Sequence, residues 1–314
     1  MLRRAPGRDA TSTSRKEPDR PEFLSGIENG VTTGEEIKAI IRNTNQHSTD
    51  YEKLKYTPRP SHADYGAFVK YKGECDMRGG GPFSGRLTAP LCIGGGIAKQ
   101  ILARRGVEVG AHIYSVGDIS DTPFDAVDPN DITAAGKKDF PTLSNEAGEK
   151  MRELILSAKA DGDSVGGIVE CAVTGIPAGH GGPLFDGVEG KISYALFGIP
   201  AVKGVEFGSG FEAAKMRGSE HNDPFMYDGE KVVTVTNNAG GIIGGITSGM
   251  PLTVRVALKP TPSIAKEQET VNLETKENVK LTIGGRHDPC VVARAVPAVE
   301  AAVALAILDI IQEN

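Results

Sequence analysis

The stretch RHDPCVVARAVPAVEAAVALAILDII, residues 286–311, decides the fold of this chain. Its second part, from residue 291 onward, is mostly apolar, but one proline and three charged residues interrupt the apolar run. A membrane-spanning helix needs about 20 consecutive apolar residues, so this pattern predicts a buried helix with one polar side instead. We therefore expect a globular fold with this helix in its core.

The residues just before this run could form a ligand site as well as a helix start. Asp288 precedes Pro289, an order typical of the first turn of a helix, which predicts a helix from Asp288 to about Ile311. Arg286 beside a helix N-terminus is suited to holding an anion, and His287 next to Asp288 places a base and an acid together. A capped helix with solvated charges accounts for the same residues equally well.

Elsewhere the apolar pattern mixes helix and strand periods without regular βαβ units. Residues 252–258 alternate between apolar and more polar side chains, which predicts a half-buried strand with one wetter face. Three glycines at 94–96 fall inside a helical segment, and their low helix propensity predicts tight packing there. The other predicted strands are 107–116, 165–174, 202–207 and 279–283, and the other predicted helices are 32–42, 91–105, 144–160, 186–197 and 211–216. This mixture favours an α+β fold over a doubly wound sheet.

Length and composition exclude several classes of protein. With 314 residues and a hydrophobic share of 39%, the chain can form one large domain or two ordinary ones. Its formal net charge of −6 argues against a general nucleic-acid binder. The four cysteines lie far apart in the sequence, which favours reduced thiols in a cytoplasmic protein over a disulfide framework or a zinc site. Clustered metal-ligand spacing is also missing from the sequence, so we expect no metal site.

Basic and hydroxyl residues accompany three segments rich in glycine or proline. They are RGGG at 78–81 followed by Ser84 and Arg86, NNAGGIIGG at 237–245, and KPTPS at 259–263. Main-chain N–H groups of glycine turns can approach a phosphate closely, and lysine, arginine and hydroxyl groups complete such a cradle. None of the segments has the Walker or the G-x-G-x-x-G spacing. Each segment alone is better explained by a glycine turn without a ligand, whereas the three together fit a large phosphorylated ligand and ligand-free turns equally well.

A further dense motif is RPSHADY at 59–65, which crowds arginine, histidine, aspartate and tyrosine into a polar loop. His62 can accept or donate a proton near neutral pH, so it is a candidate acid or base. His221, which lies close to Arg217 in the sequence, is a weaker candidate. A solvated loop histidine without a catalytic role is the ordinary alternative for both.

Taken in chain order, five motifs resemble the chorismate synthase family: RPSHADY (59–65), RGGGPFSGR (78–86), NNAGGIIGGITSG (237–249), KPTPS (259–263) and GRHDPC (285–290). The resemblance implies one domain over residues 1–314, with helices sandwiched between antiparallel sheets. It also implies a carbon–oxygen lyase of aromatic amino-acid biosynthesis, which removes phosphate and a proton from 5-enolpyruvylshikimate 3-phosphate by 1,4-elimination to give chorismate. Reduced FMN is the implied cofactor. A cytoplasmic homotetramer without nucleic-acid or membrane partners is the implied assembly.

The resemblance also implies roles for individual residues of these motifs. His62 would protonate the reduced flavin, and Asp288 would assist proton removal through the flavin N5. Arg4, Arg86 and Arg286 would hold substrate anions, in keeping with the bidentate hydrogen bonds that arginine gives to phosphate and carboxylate. The implied FMN contacts are Arg4, Pro82, Phe83, Ser84, Glu220, His221, Gly244, Lys259, Pro260, Thr261, Pro262, Ser263 and Arg286.

One departure from the family pattern lies at the start of the chain. Family members carry an additional N-terminal segment with an F-G-E-S-H-G motif, whose histidine is thought to protonate the departing phosphate. We expect this chain to lack that histidine and the first strand of the fold, and loss of a positioned general acid typically slows a reaction about 10²–10⁴-fold. One alternative function is therefore a flavin- or anion-binding form without turnover. Another is a flavin-dependent oxidoreductase that oxidises NADPH in the same pocket, ranked last because the sequence has no NADP fingerprint.

Overall fold

The structure is a computed structural model that describes residues 1–13, 19–42, 56–124, 128, 132–285 and 287–312. Its helices are α1 (Asp64–Lys70), α2 (Thr88–Arg104), α3 (Asn145–Ala160), α4 (Val188–Phe197), α5 (Gly218–His221) and α6 (Val292–Gln312). Its strands are β1 (Glu22–Ser25), β2 (Ile27–Glu28), β3 (Val31–Thr32), β4 (Lys38–Ile40), β5 (Glu108–Val116), β6 (Ile119–Ser120), β7 (Gly167–Thr174), β8 (Val202–Phe207), β9 (Phe225–Asp228), β10 (Lys231–Thr234), β11 (Ile242–Ile243), β12 (Ile246–Thr247), β13 (Leu252–Leu258), β14 (Gln268–Asn272) and β15 (Glu277–Leu281). Short 3-10 helices cover Leu2–Arg4, Arg78–Phe83, Gly85–Leu87, Ala135–Lys137, Leu184–Asp186 and Gly210–Lys215.

A five-stranded sheet in the order β6-β5-β7-β13-β8 organises the molecule, and its neighbouring strands are antiparallel. The predicted α+β class with helices packed on antiparallel sheets is therefore confirmed. Strand β13 has the bounds and the alternation that the sequence predicted. Its apolar residues from Leu252 to Leu258 are buried every second position, and Thr253 and Arg255 between them are partly exposed. One face of the sheet therefore builds the core.

Helix α6 lies in that core, packed against α2, α4 and the strands β5 and β7. Its length and hydropathy would suit a membrane span, but most of the helix is buried inside the protein. Between Val292 and Ile310 most side chains are less than a tenth exposed, and they pack with residues of the sheet. The predicted buried helix is confirmed, and the apolar run is explained by the core that it fills.

The predicted start of this helix is wrong. Helix α6 begins at Val292, four positions after the expected cap at Asp288. The carbonyl oxygen of Pro289 accepts a hydrogen bond from the main-chain N–H of Val165, at 2.9 Å, just before β7. This long-range bond holds residues 287–291 in a non-helical segment along the sheet. Asp288 therefore lies in a connecting segment rather than at the helix N-terminus.

The helix predicted for residues 32–42 is also wrong, because this segment returns as the second half of a β-hairpin arm. Strand β1 pairs with β4, and β2 pairs with β3. At the tip, Asn29 and Gly30 have φ angles of 49° and 78°. Two successive positive φ angles are the signature of a type I′ turn, for which Asn-Gly is the favoured pair. The turn signal at 29–30 thus overrides the apparent capping box at 32–36.

Most other predicted elements are confirmed with small shifts at their ends. Ser144 caps α3 as expected, since its side-chain oxygen accepts a hydrogen bond from the N–H of Ala147. Strand β8 has the predicted bounds, whereas β5 and β7 each begin one or two residues later than predicted. The predicted helix at 211–216 is a 3-10 helix over Gly210–Lys215.

A buried carboxylate on α6 connects several parts of the fold. Glu300 is 2% exposed, and it accepts hydrogen bonds from Arg3 and from Lys99 of α2. The N–H of Ala111 in β5 donates to the same carboxylate at 3.2 Å. Burial alone would raise the pKa of the Glu300 carboxyl, but the pairing with Arg3 and Lys99 more than offsets it and lowers the pKa. The charged carboxylate therefore holds the N-terminal segment, α2 and β5 against α6.

On the other face of the sheet, His112 of β5 is fully buried between two carboxylates. Its Nδ1 lies 3.2 Å from Asp121 and its Nε2 lies 2.9 Å from Glu170 of β7. Arg255 of β13 donates to the same Glu170 at 2.8 Å. Burial alone would lower the pKa of His112, but the hydrogen bonds with Asp121 and Glu170 raise it above its usual value. Both ring nitrogens face carboxylate oxygens, which only accept hydrogen bonds when ionised, so this geometry fits an imidazolium that joins three strands and the loop after β6.

The tight packing expected at Gly94–Gly96 is confirmed for the middle glycine. A methyl group built on Gly95 would lie 2.2 Å from the Cβ of Ala301 on α6, which is far inside van der Waals contact. At Gly96, no described atom outside the local helix backbone lies within 4 Å of such a methyl group. Helices α2 and α6 therefore approach each other so closely at Gly95 that this position must stay a glycine. Gly96 has room for a methyl group.

We expect Gly95→Ala to destabilise the protein by about 1–3 kcal/mol, because the added methyl group overpacks the contact between α2 and α6. Gly96→Ala is the matched control, and it should stabilise by up to about 1 kcal/mol because alanine has the higher helix propensity. Urea denaturation followed by circular dichroism measures both. Equal effects of the two substitutions would contradict this account of the helix contact.

We also expect a pH-dependent contribution of His112 to stability. The pKa of His112 in the folded protein is raised above its unfolded value of about 6.5. Its contribution to the free energy of unfolding is therefore complete below pH of about 6.5 and is lost as the pH rises through the folded pKa. At pH 6, His112→Gln should cost about 3–5 kcal/mol, because Asp121 and Glu170 lose their buried partner. The cost should shrink as pH rises.

Urea midpoints measured between pH 6 and pH 10 test this expectation. His180→Gln removes a histidine that lies outside the buried group and serves as the control. A cost of His112→Gln that stays constant over this range would contradict the assignment of a buried imidazolium.

Candidate active site

A cavity of about 550 Å³ opens beside the end of β13, where several loops converge. The lining residues outside α6 come from six separate parts of the described chain, and α6 contributes Arg294, Ala295 and Ala298. The predicted site residues that line the cavity are Arg4, His62, Pro82, Phe83, Ser84, Arg86, Lys259, Thr261, Pro262, Ser263 and Asp288. Motifs that are up to 284 residues apart in the sequence thus meet around one hollow.

His62 is held by two neighbours from its own motif. Its Nδ1 lies 2.6 Å from Oδ1 of Asp64, and Arg59 donates to both oxygens of that carboxylate at 2.7 and 2.8 Å. Burial alone would raise the pKa of the Asp64 carboxyl, but hydrogen bonds from Arg59 and His62 hold it well below its usual range. The carboxylate is therefore ionised throughout the physiological range and orients the imidazole.

The KPTPS segment packs against the same loop. Lys259 donates to the carbonyl oxygen of Ser61, and Arg59 Nη1 lies 3.4 Å from the Ser263 hydroxyl. Burial, together with the nearby Lys203, lowers the pKa of Lys259. These contacts join the His62 loop to the end of β13.

Thr261 places an unsatisfied hydroxyl at the cavity. Its Oγ1 is buried, and within the described part of the chain it has no hydrogen-bond partner. Buried hydroxyl groups are nearly always hydrogen-bonded, and leaving one unpaired costs about 1–3 kcal/mol. A polar ligand atom in the cavity would remove this cost, so Thr261 is well placed to bind one.

Asp288 also lines the cavity and is fixed by hydrogen bonds. Its carboxylate accepts from the N–H of Thr13 at 2.9 Å and forms an ion pair with Arg294 of α6. Arg294 in turn donates through Nε to the carbonyl oxygen of Arg4, at 3.0 Å. One arginine thus connects the candidate acid–base residue to the N-terminal segment.

Arg4 lines the cavity, but its side chain is already bonded within the protein. It forms a buried ion pair with Asp19 and donates through Nε to Thr88, at 2.9 Å. Its Nη2 donates to the carbonyl oxygens of Gly85 and Arg86, at 3.2 and 3.0 Å. In this structure Arg4 therefore supports the loop that carries Arg86, and direct contact of Arg4 with a ligand anion stays a prediction.

Four predicted flavin contacts are not among the residues that line the cavity. The described cavity lining does not include Pro260, Glu220, His221 or Gly244, and Arg286 lies outside the described residues. Next to Gly244, the carbonyl oxygen of Gly245 accepts from Val188 at the start of α4.

Phe197, at the other end of α4, lines the cavity. A helix of this length spans roughly 14 Å, so Gly244 lies about one short helix away from the cavity. The roles of these residues stay predictions.

Sequence reasoning missed three residues of the site. Arg59 and Asp64 stand inside the RPSHADY motif, and their spacing from His62 could have indicated an ion pair that orients the ring. Arg294 gave a weaker signal, as a lone cation in the apolar run of α6. The sequence could not indicate that Arg294 pairs with Asp288, because both residues were expected on one helix. Their contact depends on the non-helical segment before Val292.

Comparisons with known proteins identify the family of this chain. The family model described as chorismate synthase matches residues 1–312. The chorismate synthase of Korarchaeum cryptofilum is 49% identical over 311 residues, which cover 99% of this chain and 86% of the relative. That of Lancefieldella parvula is 46% identical over 322 residues, covering 98% of this chain and 84% of the relative.

A solved structure is similar over most of its length. It is described as a crystal structure of chorismate synthase, has 29% sequence identity and a TM-score of 0.72, and the match covers 93% of this chain and 77% of the solved one. The profile, the relatives and the fold agree, and this chain belongs to the chorismate synthase family.

Proposed function

We propose that this chain is a chorismate synthase that eliminates phosphate and a proton from 5-enolpyruvylshikimate 3-phosphate, with reduced FMN as cofactor. The observation that carries the proposal is the single cavity that unites His62, Arg86, Lys259 and Asp288. These residues come from four of the motifs that define the family resemblance. A carbon–oxygen lyase acting on a phosphate ester needs anion-binding groups and proton carriers in one place, and this cavity supplies both.

The charge of the cavity suits the proposed ligands. Substrate and flavin together would bring two phosphates and two carboxylates, and the lining includes Arg86, Lys259 and Arg294. Arginine binds such anions through paired, charge-assisted hydrogen bonds. We assign Arg86 and Arg286 to the substrate anions. Arg4 supports this site by hydrogen bonds to the main chain of the loop that carries Arg86.

The residues present also fit a flavin. Ligand cavities of about 300–1,000 Å³ are usual for cofactors of this size, and the cavity volume of about 550 Å³ falls in that range. Pro82 and Phe83 offer an apolar surface for a ring system, and Thr261 offers an unpaired hydroxyl. Bound reduced FMN would supply an electron-rich ring beside the substrate. Ser84, Lys259 and Ser263 would bind its polar edge and phosphate.

Two residues of the cavity wall would handle protons. His62 presents an imidazole whose Nδ1 is bonded to Asp64, so its Nε2 is the nitrogen that can give or take a proton. Asp288 presents an ionisable carboxylate to the same cavity, and Thr13 and Arg294 hold it in a fixed orientation. Closure of the site around both ligands would exclude water and strengthen these electrostatic interactions.

The two alternatives are a binding form without turnover and a flavin-dependent oxidoreductase that uses NADPH. Neither is favoured, because the named relatives are chorismate synthases at 46–49% identity over nearly the whole chain. We propose further that residues 1–314 act as one cytoplasmic domain.

We expect the purified protein to form chorismate from 5-enolpyruvylshikimate 3-phosphate under anaerobic conditions with chemically reduced FMN. His62→Ala and Asp288→Asn should each slow turnover about 10²–10⁴-fold, the usual effect of losing an acid or base. Chorismate is measured by its absorbance, and flavin binding by fluorescence.

His180→Ala, outside the cavity lining, is the matched control and should keep the wild-type rate. The proposal would fail if the wild-type protein bound neither reduced FMN nor the phosphorylated substrate. Flavin binding without chorismate would favour the non-catalytic alternative.

We also expect the protein to be a homotetramer. The surface around α4 exposes Leu184, Phe185 and Tyr194, at 87%, 95% and 88% of their full area. Neighbouring large apolar groups at such exposure are typical of a surface that another subunit covers. Light scattering should give four times the chain mass of 33.0 kDa.

Phe185→Asp should lower that mass, because it places a charge in the proposed contact. Phe23→Asp, on the β1–β4 hairpin arm, is the control. A monomeric wild-type protein would contradict the assembly.

A further inference from the structure

The structure assigns a paired positioning role to Asp64 and Arg59, in which Asp64 fixes the His62 ring and Arg59 offsets the attraction of Asp64 for a proton on that ring. Neither residue was assigned a function by the motif resemblance. The inference rests on the proposed function for its chemical meaning, because His62 is a proton carrier only in that context. The geometry of the three side chains is independent of it.

The tautomer of His62 follows from the distances. Nδ1 lies 2.6 Å from Asp64 Oδ1 and 3.1 Å from Arg59 Nη2. Arginine can only donate, and the shorter contact is to a carboxylate, which can only accept while it is ionised. Nδ1 therefore carries a hydrogen and donates to Asp64, while Arg59 Nη2 donates to the same carboxylate at 2.8 Å. Nε2 remains as the nitrogen that exchanges its proton.

The charges of Asp64 and Arg59 act on His62 in opposite directions. Their side chains are only 10% and 6% exposed, so water screens them weakly. Asp64 accepts from the main-chain N–H of Arg59 as well, at 3.0 Å, which locks the pair together. A carboxylate alone at this position would bind the imidazolium strongly. The adjacent guanidinium pairs with that charge, so the carboxylate orients the His62 ring while Arg59 opposes its pull on the ring proton.

The loop that carries His62 is itself held rigidly. Ser61 has a φ angle of 58°, a left-handed conformation that costs a residue other than glycine about 1–2 kcal/mol. Lys259 offsets this cost by donating to both the carbonyl oxygen and the hydroxyl of Ser61. Arg59 also reaches Ser263. The ring is therefore fixed relative to the cavity by its main chain and by Asp64.

Other charged or titratable groups face His62 from the remaining elements of the cavity. They are Lys259 from the segment after β13, Arg4 and Arg86 from the N-terminal and Arg86 loops, His287 and Asp288 from the segment before α6, and Arg294 from α6. Substitution of Asp64 or Arg59 leaves all of them in place. A change in the titration of His62 therefore reports the near pair.

Histidine labelled with ¹³C at Cε1 allows the titration midpoint of His62 to be measured by NMR, with the signal assigned by its absence in His62→Gln. Asp64→Asn leaves the Arg59 charge unopposed, so we expect the midpoint to fall by about one pH unit or more. Arg59→Gln leaves the Asp64 charge unopposed, so we expect it to rise by a similar amount. Lys70→Gln, an exposed charge change on the same helix as Asp64, should leave it unchanged.

Asp64→Glu and Arg59→Lys keep the charges of the two side chains. They replace Asp64→Asn and Arg59→Gln in the titration if a neutral variant does not fold. Both should titrate closer to wild type than the neutral variants do. Shifts in the same direction for Asp64→Asn and Arg59→Gln, or no shift in either, would overturn the inference. Those results would show that Asp64 and Arg59 have a structural role only.

The pH profile of chorismate formation provides the second readout. The limb that reports His62 should move with the NMR midpoint, downward in Asp64→Asn and upward in Arg59→Gln. If no variant and no wild-type protein formed chorismate, the proposed function would fail, while the NMR titration would still decide the inference. Opposite NMR shifts with an unmoved activity limb would refute His62 as the proton carrier.

Discussion

The carboxylate of Glu300 is the interaction on which the arrangement of this protein depends most. It lies on the apolar helix α6, where an ionised group is costly unless it is fully paired. Arg3, Lys99 and the N–H of Ala111 pair it from three directions. The cavity wall is formed by the same helix and by the same N-terminal segment. The position of Asp288 and Arg294 is therefore coupled to a charge buried deep in the core.

Above that core, the cavity is built from loops that are bonded to one another. Lys259 holds the His62 loop, Arg294 holds Asp288, and Arg4 holds the Arg86 loop. Each of these cations is directed at protein atoms in the structure. Proton-transferring groups held in this way need little rearrangement when a ligand arrives, which is the condition for electrostatic preorganisation.

Sequence patterns predicted the parts of this molecule that local periodicity controls. The alternation of β13, the Ser144 cap and the burial of α6 could all be read from neighbouring residues. The helix predicted at 32–42 was wrong, because an Asn-Gly turn several residues upstream set the chain into a hairpin. The start of α6 was wrong because Pro289 bonds to Val165, a partner that is 124 residues away.

The candidate site was predictable as a set of motifs but not as a network. The resemblance pointed to His62, Lys259 and Asp288, and the structure brings them around one cavity. The ion pairs of Asp64 with Arg59 and of Asp288 with Arg294 depend on side-chain directions that spacing alone does not give. Glu220, His221 and Gly244 belong to the implied contacts but do not line the cavity, which no motif could indicate.

The internal bonding of Arg4 has a consequence for how mutational data on this family member should be interpreted. An alanine scan that scored turnover alone would place Arg4 among the ligand-binding residues, since its loss would weaken affinity for an anion. The origin would be a displaced Arg86 loop, because Arg4 bonds to the main chain of Gly85 and Arg86. The effect of an Arg4 substitution on ligand binding would then include the displacement of the loop that Arg4 supports, besides any contact of Arg4 with the ligand itself.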